Sequence, residues 1–234
     1  MFDSGPSIHK KLRMINPPNK KKIFLVDDHP LVREWLTNLI QQQPDLMVSN
    51  ETESAPAALS AIAMTKPDLV IVDINLKNSS GIELIKNLKE SHPDLPVLVL
   101  SMHDESLYAE RVFRAGARGY VNKRETAQKV IEAIRRVLSG KLYVSEKTAE
   151  ILAGKTVRGQ TTNRSVTELL SDRELQVFDK LGQGISTKEI AADFRVSIKT
   201  VQEYCARIKE KLGLNSATEL LREAVRWHDA KGSG

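Results

Sequence analysis

Two apolar runs, each followed directly by acidic residues, constrain the fold of this chain more than any other feature. Residues 69–72 (Leu-Val-Ile-Val) precede Asp73, and residues 23–26 (Ile-Phe-Leu-Val) precede Asp27 and Asp28. Both runs are continuous and rich in β-branched residues, which predicts strands buried on both faces of a parallel sheet. Because the carboxyl ends of such strands share one edge of the sheet, we expect the three carboxylates to lie together.

Crowded carboxylates repel one another unless a cation lies among them, and a site made only of oxygen ligands suits Mg²⁺. A carboxylate that a metal neutralises is also a competent nucleophile toward phosphorus, since carboxylates form aspartyl-phosphate. The pattern therefore predicts a magnesium site at which an aspartate is phosphorylated.

Length, cysteine content and charge exclude several protein classes. The 234 residues suffice for one large or two modest domains, and the single Cys205 excludes an internal disulfide framework and predicts a cytoplasmic location. No apolar stretch approaches the roughly 18 to 20 residues that span a bilayer, so we expect no membrane partner. Residues 1–22 hold six Lys/Arg and one Asp, which accounts for the whole net charge of +5. We interpret residues 1–21 as a basic, disordered arm, and the charge is no evidence that the folded part binds DNA.

The periodicity of apolar residues divides the chain into two domains. From residue 22 to 140, strand and helix patterns alternate in five βα repeats, which predicts an α/β domain with a doubly wound parallel sheet. Residues 141–169 are predicted to be a linker, because their middle part is polar and rich in Thr, Gly and Arg. Residues 170–230 contain only helical patterns and are predicted to form an all-α four-helix domain. The predicted strands are 22–27, 46–51, 69–73, 96–101 and 119–122, and the predicted helices are 31–43, 54–65, 80–91, 105–115, 126–139, 172–181, 187–194, 198–211 and 217–227.

The first domain resembles the receiver domain of two-component response regulators. The segments VDDHPLVR, LVIVDINLKNSSG, VLVLSMH and GYVNK carry this resemblance over the whole of residues 22–140. It implies a flavodoxin-like five-stranded sheet with strand order 2-1-3-4-5, and a phosphoryl group that Asp73 takes from a sensor histidine kinase. It also implies that Asp27, Asp28, Asp73 and the backbone carbonyl of Asn75 hold Mg²⁺.

The same resemblance assigns three residues to the phosphoryl group. Lys123 would pair with its oxygens, Ser101 would donate its hydroxyl to them, and Tyr120 would change rotamer at the same time. Phosphoryl transfer needs charge neutralisation and positioning more than covalent chemistry, and these residue types supply both. One departure is Lys77, which stands where the family often has proline and predicts a more mobile loop beside the site. We interpret His29 and His103 as structural or solvent-facing, because imidazole matches Mg²⁺ poorly.

Capping signals organise the second domain. Ser171, with Glu174 three residues later, predicts a capping box at the start of its first helix. The short break at residues 195–197 separates two helices, and Ser197 is suited to cap the second of them. A short helix, a tight turn and a helix with exposed polar residues form the helix-turn-helix geometry that fits a DNA major groove.

The segments LSDRELQVF, GQGISTKEIA, VSIKTVQ and RIKEKLG resemble the LuxR-type helix-turn-helix, and the two domains together resemble the NarL/FixJ family of transcription factors. This resemblance implies a recognition helix at 198–211 and a last helix at 217–227 that forms a homodimer contact. Two recognition helices would then lie about 34 Å apart on double-stranded DNA. Tyr204 departs from the family, which usually has His there. The positions implied to face base edges are Gln202, Glu203 and Ala206, and the candidates for phosphate contacts are Lys188, Lys199, Thr200, Arg207 and Lys209.

Our main hypothesis is therefore a DNA-binding regulator, not an enzyme, that phosphorylation at Asp73 switches. One alternative is a phosphohydrolase of the aspartyl-phosphate type, which would need a second carboxylate where Asn75 stands. The other is a DNA-binding regulator that does not depend on phosphorylation and whose receiver serves as a dimerisation module.

Overall fold

The computed structural model describes residues 20–76, 79–103, 105–146, 148–150 and 166–232. The predicted basic arm up to residue 19, the polar part of the predicted linker at 151–165, and Lys77 lie outside the described residues. None of the helices within these ranges is both long and apolar enough to cross a membrane.

A five-stranded parallel sheet forms the centre of the first domain. Its strand order is β2-β1-β3-β6-β7, which confirms the predicted order because β6 and β7 are the fourth and fifth of the predicted strands. A short antiparallel hairpin of β4 and β5, in which Asn75 pairs with Ser80, was not predicted. The strands are β1 (Lys21–Val26), β2 (Leu46–Thr52), β3 (Leu69–Val72), β4 (Asn75–Leu76), β5 (Ser79–Ser80), β6 (Val97–Ser101) and β7 (Gly119–Asn122).

Helices cover both faces of this sheet. They are α1 (Pro30–Gln41), α2 (Ala55–Thr65), α3 (Gly81–Ser91), α4 (Glu105–Ala115) and α5 (Ala127–Leu138). Alternate residues of β1 belong to different apolar clusters: Ile23 and Leu25 to the one that contains α1 and α5, and Phe24 and Val26 to the one that contains α2, α3 and α4. The continuous apolar runs are thus buried on both faces, as expected for a parallel sheet between two helix layers.

The second domain contains only helices among its described residues. They are α6 (Val166–Leu169), α7 (Asp172–Gly182), α8 (Thr187–Phe194), α9 (Ile198–Leu212) and α10 (Ala217–Gly232). The predicted capping box between Ser171 and Glu174 is confirmed, and a second one joins Ser186 and Glu189 at the start of α8. The Ser197 side chain caps α9 by accepting a hydrogen bond from the backbone N–H of Thr200 at 3.0 Å. Local side-chain chemistry therefore sets where these helices begin.

The helical domain packs directly against the receiver domain. The apolar cluster on the α2–α4 side of the sheet continues into the helical domain and includes Leu170 and Phe178. Arg111 of α4 ties the two domains together, because its guanidinium donates to Asp172 Oδ1 and to the Leu170 carbonyl, both at 2.5 Å. The docked arrangement therefore combines apolar burial with charged hydrogen bonds.

Candidate phosphoacceptor site

Three buried carboxylates meet at one edge of the sheet. Asp73 follows β3, and Asp27 and Asp28 follow the neighbouring strand β1. The backbone N–H of Asp73 donates to the Val26 carbonyl at 2.9 Å, which aligns the two strand ends. Potential ligand atoms of these three aspartates and His29 all lie within 4.8 Å of one another. The expected convergence of the carboxylates is thus present in the fold.

Lys123 supplies the positive charge at this cluster. Its Nζ lies 2.6 Å from Asp73 Oδ2 and 2.7 Å from Asp27 Oδ2, and its side chain is nearly buried. The residue follows β7, and its backbone N–H donates to the Ser101 carbonyl at 2.9 Å. Although burial favours the neutral amine, the carboxylates of Asp73 and Asp27 raise the pKa of Lys123, so the ammonium stays charged.

One ammonium does not neutralise three carboxylates. Burial raises the pKa of Asp73 to about 6; Lys123 offsets this only in part, and the Asp27 carboxylate adds to it. The donor set consists of carboxylate oxygens, which suits a hard divalent cation such as Mg²⁺. An additional cation would relieve the repulsion that the geometry imposes, so the residues present fit a magnesium site.

The loop after Asp73 approaches the site closely because Gly81 stands at the start of α3. A Cβ atom at this position would lie 1.9 Å from the Asp73 carbonyl oxygen, so only glycine fits without a shift of the backbone. The Gly81 N–H donates to the Ile74 carbonyl at 2.8 Å, which closes the loop that carries Asn75. This glycine is in the sequence motif, but its role depends on a contact that the sequence does not show.

Ser101 is the last residue of β6, and Tyr120 is the second residue of the neighbouring strand β7. Ser101 is fully buried, and its Oγ accepts a hydrogen bond from the His103 backbone N–H at 3.3 Å. The buried Tyr120 hydroxyl donates to the His103 carbonyl at 2.9 Å. The loop at His103 therefore connects both residues to which the sequence assigned a switching role.

His29 contacts the carboxylates from the solvent side. Its Nδ1 lies 2.7 Å from Asp28 Oδ1 and 3.3 Å from Asp27 Oδ1, while about half of its side chain is exposed. The sequence analysis interpreted His29 as structural or solvent-facing; its ring is half exposed but also contacts two of the carboxylates.

Two arginines of the helical domain also reach the site, and sequence analysis missed both. Arg173 Nη2 donates to the Leu76 carbonyl at 2.9 Å and to the Ser79 carbonyl. Its Nη1 lies 3.5 Å from Asn75 Oδ1. Arg195 Nη1 lies 3.5 Å from Asp28 Oδ2. These contacts span 94 or more positions in the chain, and no local pattern indicates them.

The predicted base-facing positions remain accessible while the helical domain is docked. Gln202, Glu203 and Ala206 on α9 are exposed. Of the predicted phosphate contacts, Lys188, Lys199 and Arg207 are exposed and Thr200 and Lys209 are partly buried. On α10, Leu221 and Val225 are exposed although both are large and apolar. The receiver domain therefore contacts the helical domain without covering the predicted base-facing surface.

Comparison with known proteins identifies both domains. Residues 23–135 match the family model of the response regulator receiver domain, and residues 168–224 match that of the bacterial regulatory proteins of the luxR family. The response regulator GacA of Pseudomonas syringae is 34% identical over 205 residues, which cover 88% of this chain and 95% of the relative. The oxygen regulatory protein NreC of Staphylococcus carnosus is 32% identical over 210 residues, covering 88% and 97%.

Solved structures share this fold, one of them over nearly the whole chain and one over part of it. RcsB from Salmonella enterica serovar Typhimurium, bound to a promoter in the presence of the phosphomimetic BeF3-, is 25% identical with a TM-score of 0.57, covering 87% of this chain and 98% of that one. A LuxR-family response regulator from Aurantimonas is 34% identical with a TM-score of 0.55, covering 59% and 99%. The chain thus belongs to the NarL/FixJ-type two-component response regulators, which join a receiver domain to a LuxR-type DNA-binding domain.

Proposed function

We propose that this protein is a transcription regulator that is switched when a sensor histidine kinase transfers a phosphoryl group to Asp73. The observation that carries the proposal is the position of Asp73. Its Oδ2 lies 2.6 Å from Lys123 Nζ, beside the buried carboxylates of Asp27 and Asp28. Phosphoryl transfer depends on this combination of a positioned nucleophile and nearby positive charge.

Each residue of the site has a chemical role in this proposal. Asp27, Asp28, Asp73 and the backbone carbonyl of Asn75 would hold Mg²⁺, and bound Mg²⁺ supplies the positive charge that offsets the phosphoryl oxygens. The ionised Asp73 carboxylate attacks phosphorus and forms an O–P bond, while the N–P bond to the phosphorylated histidine of the kinase breaks and the imidazole leaves with the bonding electron pair. Lys123 then pairs with the phosphoryl oxygens.

Phosphorylation adds charge and acceptor oxygens beside the loop that follows β6. In the proposed switch, the Ser101 hydroxyl turns from the His103 N–H toward the phosphoryl group. Tyr120 then changes rotamer and leaves the His103 carbonyl. These changes bias an existing equilibrium between docked and undocked domains, since His103 lies near charged groups of α7.

The helical domain would bind double-stranded DNA as a homodimer. Gln202, Glu203 and Ala206 face base edges, and surrounding cations contact phosphates. The exposed Leu221 and Val225 of α10 provide an apolar surface for a second copy of the chain. Truncating Gln202 to Ala should relax sequence preference, whereas Arg207→Ala should weaken binding to all sequences about equally.

Intact-mass measurement after exposure to acetyl phosphate and Mg²⁺ tests the phosphoacceptor. The wild-type chain should gain one base-labile phosphoryl group, and Asp73→Asn should gain none. The proposal would be refuted if Asp73→Asn gained a phosphoryl group, or if the wild type gained none although metal was bound. Turnover of small phosphoesters without stoichiometric labelling would instead indicate the phosphohydrolase.

The exposed base-facing side chains support a second candidate function. Because the docked receiver leaves α9 accessible, the chain would bind DNA without phosphorylation, and the receiver would then serve as a dimerisation module. DNA affinity and oligomeric state, each measured with and without beryllofluoride, separate the two functions. Phosphorylation control predicts that both change, whereas the second candidate predicts that neither does.

A further inference from the structure

The docked helical domain places two cations against the acidic site. Arg195 approaches the Asp28 carboxylate, and Arg173 holds the hairpin that carries Asn75. Both arginines belong to the DNA-binding domain, whereas the carboxylates belong to the receiver. Separation of the domains would therefore remove two positive charges from the acidic site.

Arg195 is held in position by the turn of the helix-turn-helix. It caps α8 in the left-handed conformation, with φ 53°, and the next N–H, that of Val196, donates to the Ala191 carbonyl at 3.0 Å. About two fifths of its side chain is exposed, but its partner Asp28 is almost buried. Because the turn fixes the backbone, Arg195 reaches Asp28 only while the helical domain is docked.

Arg173 contacts the β4–β5 hairpin beside the site. Its guanidinium stacks over the Phe194 ring at 5.0 Å and donates to Gln176 Oε1 at 2.8 Å, so its own domain orients it. From there it donates to the carbonyls of Leu76 and Ser79 on the hairpin. The docked domain thus contacts the strand end at Asp28 and the hairpin at Asn75 at the same time.

We infer that Arg195 and Mg²⁺ compete for Asp28, so that binding of the metal alone, before any phosphorylation, weakens docking of the DNA-binding domain. This inference rests on the magnesium role of Asp28 in the proposed function. It adds that a residue of the effector domain regulates that site.

Electrostatics gives the direction of the effect. Mg²⁺ binds a carboxylate oxygen at about 2.0–2.1 Å. Arg195 Nη1 lies 3.5 Å from Asp28 Oδ2, an oxygen that the metal would use. A divalent ion bound to this carboxylate repels the guanidinium, and it also neutralises the negative charge that attracts the guanidinium. Because coupling is reciprocal, docking must lower the affinity for Mg²⁺ by the same factor by which Mg²⁺ weakens docking.

Calorimetric titration of the full-length protein with MgCl₂, without a phosphodonor, tests the inference. Arg195→Gln should bind Mg²⁺ about two- to fivefold more tightly than wild type, the range expected for a partly exposed ion pair. Arg195→Lys retains the charge and should stay close to wild type. Both replacements are unbranched residues, so both have a similar conformational cost at a positive φ. Arg222→Gln, which removes an exposed arginine of α10, is the matched control and should leave the affinity unchanged.

Small-angle X-ray scattering of the same samples measures docking directly. Adding Mg²⁺ should increase the radius of gyration of the wild type, and Arg195→Gln should already be expanded without metal. The difference in affinity between wild type and Arg195→Gln should shrink in about 1 M KCl, where the screening length falls to about 3 Å.

Two outcomes would overturn the inference in different ways. Equal Mg²⁺ affinity for wild type and Arg195→Gln would refute the competition but leave phosphorylation of Asp73 intact. Absence of Mg²⁺ binding in both proteins would refute the competition together with the proposed metal role of Asp28.

Discussion

Replacing Asp73 by asparagine should stabilise the metal-free protein. Burial and the neighbouring Asp27 carboxylate, offset in part by Lys123, raise the pKa of Asp73 from its ordinary 3.8 to about 6. A difference of this size corresponds to about 3 kcal/mol of unfavourable free energy for the ionised carboxylate in the folded state. Asparagine has nearly the same shape without the charge, and Lys123 retains its contact with Asp27 at 2.7 Å.

The pH dependence has a defined sign. The folded-state pKa of Asp73 lies above the unfolded-state value, so the destabilisation is complete above about pH 6 and absent below about pH 3.8. Asp73→Asn should therefore gain up to about 3 kcal/mol at pH 7.5, and this gain should shrink as the pH falls toward 4. Saturating Mg²⁺ stabilises the wild type by mass action and should also reduce the difference.

Urea unfolding in EDTA, followed by circular dichroism at several pH values, measures this effect. Asp68→Asn is an informative control. The Lys21 side chain and the Lys22 backbone N–H outweigh the effect of burial and lower the pKa of Asp68, so its removal should destabilise the fold. If Asp73→Asn is no more stable than the wild type at pH 7.5 in EDTA, the ionised Asp73 carboxylate does not destabilise the folded state and the reasoning is refuted.

Three further perturbations test the charged contacts. Lys123→Gln should lower the free energy of unfolding in EDTA by about 3 kcal/mol or more, measured by urea unfolding, since two buried carboxylates lose their cation. Arg111→Gln should increase the radius of gyration in solution, because it removes two interdomain hydrogen bonds, whereas Arg114→Gln on the same helix should not. Burial lowers the pKa of His103 to about 4 in the docked form. Acidification from pH 7.5 to 5.5 should therefore weaken docking about tenfold. In scattering measurements, the His103→Asn variant should not show this pH dependence.

The direction of the His103 prediction follows from its surroundings. Its ring lies 4.7 Å from that of Tyr108, and its Nε2 is shielded without a hydrogen-bond partner among the described residues, although part of the residue faces solvent. Asp179 of α7 favours the charged ring and Lys180 disfavours it, but burial has the largest effect. We expect the ring to regain water and its ordinary pKa near 6.5 when the domains separate, so protonation should favour the undocked form.

The surface of the helical domain that contacts the receiver differs from the surface proposed to bind DNA. Helix α7 and the turn after α8 contact the receiver, while Gln202 and Glu203 on α9 stay exposed. In the proposed switch, release of the receiver would therefore act by freeing the whole helical domain to move, because neither the base-facing residues of α9 nor Leu221 and Val225 of α10 are covered in the docked form. This distribution of contacts makes oligomeric state the most informative measurement on the phosphorylated protein.

Local pattern was sufficient for the five strands of the main sheet and for the helices α1 to α5 and α7 to α10, but not for the β4–β5 hairpin or for α6, which lies within the predicted linker. Continuous β-branched runs ending in Asp27 and Asp73 predicted neighbouring parallel strands, and the structure confirms both the strands and their order. The capping box at Ser171 and Glu174 was predicted from two residues three positions apart. These features depend on periodicity and on interactions within one turn of helix, and both can be recognised from a short segment of sequence.

Only the tertiary structure determined the charge balance at the acidic edge. Lys123 is 50 positions from Asp73, and Arg195 is 167 positions from Asp28, yet each pair is in contact in the folded chain. The sequence placed Lys123 at the site through a motif, but no pattern placed Arg195 there. Its position depends on how two separately folded domains pack, and such packing is set by the shape and charge of whole surfaces instead of by neighbouring residues.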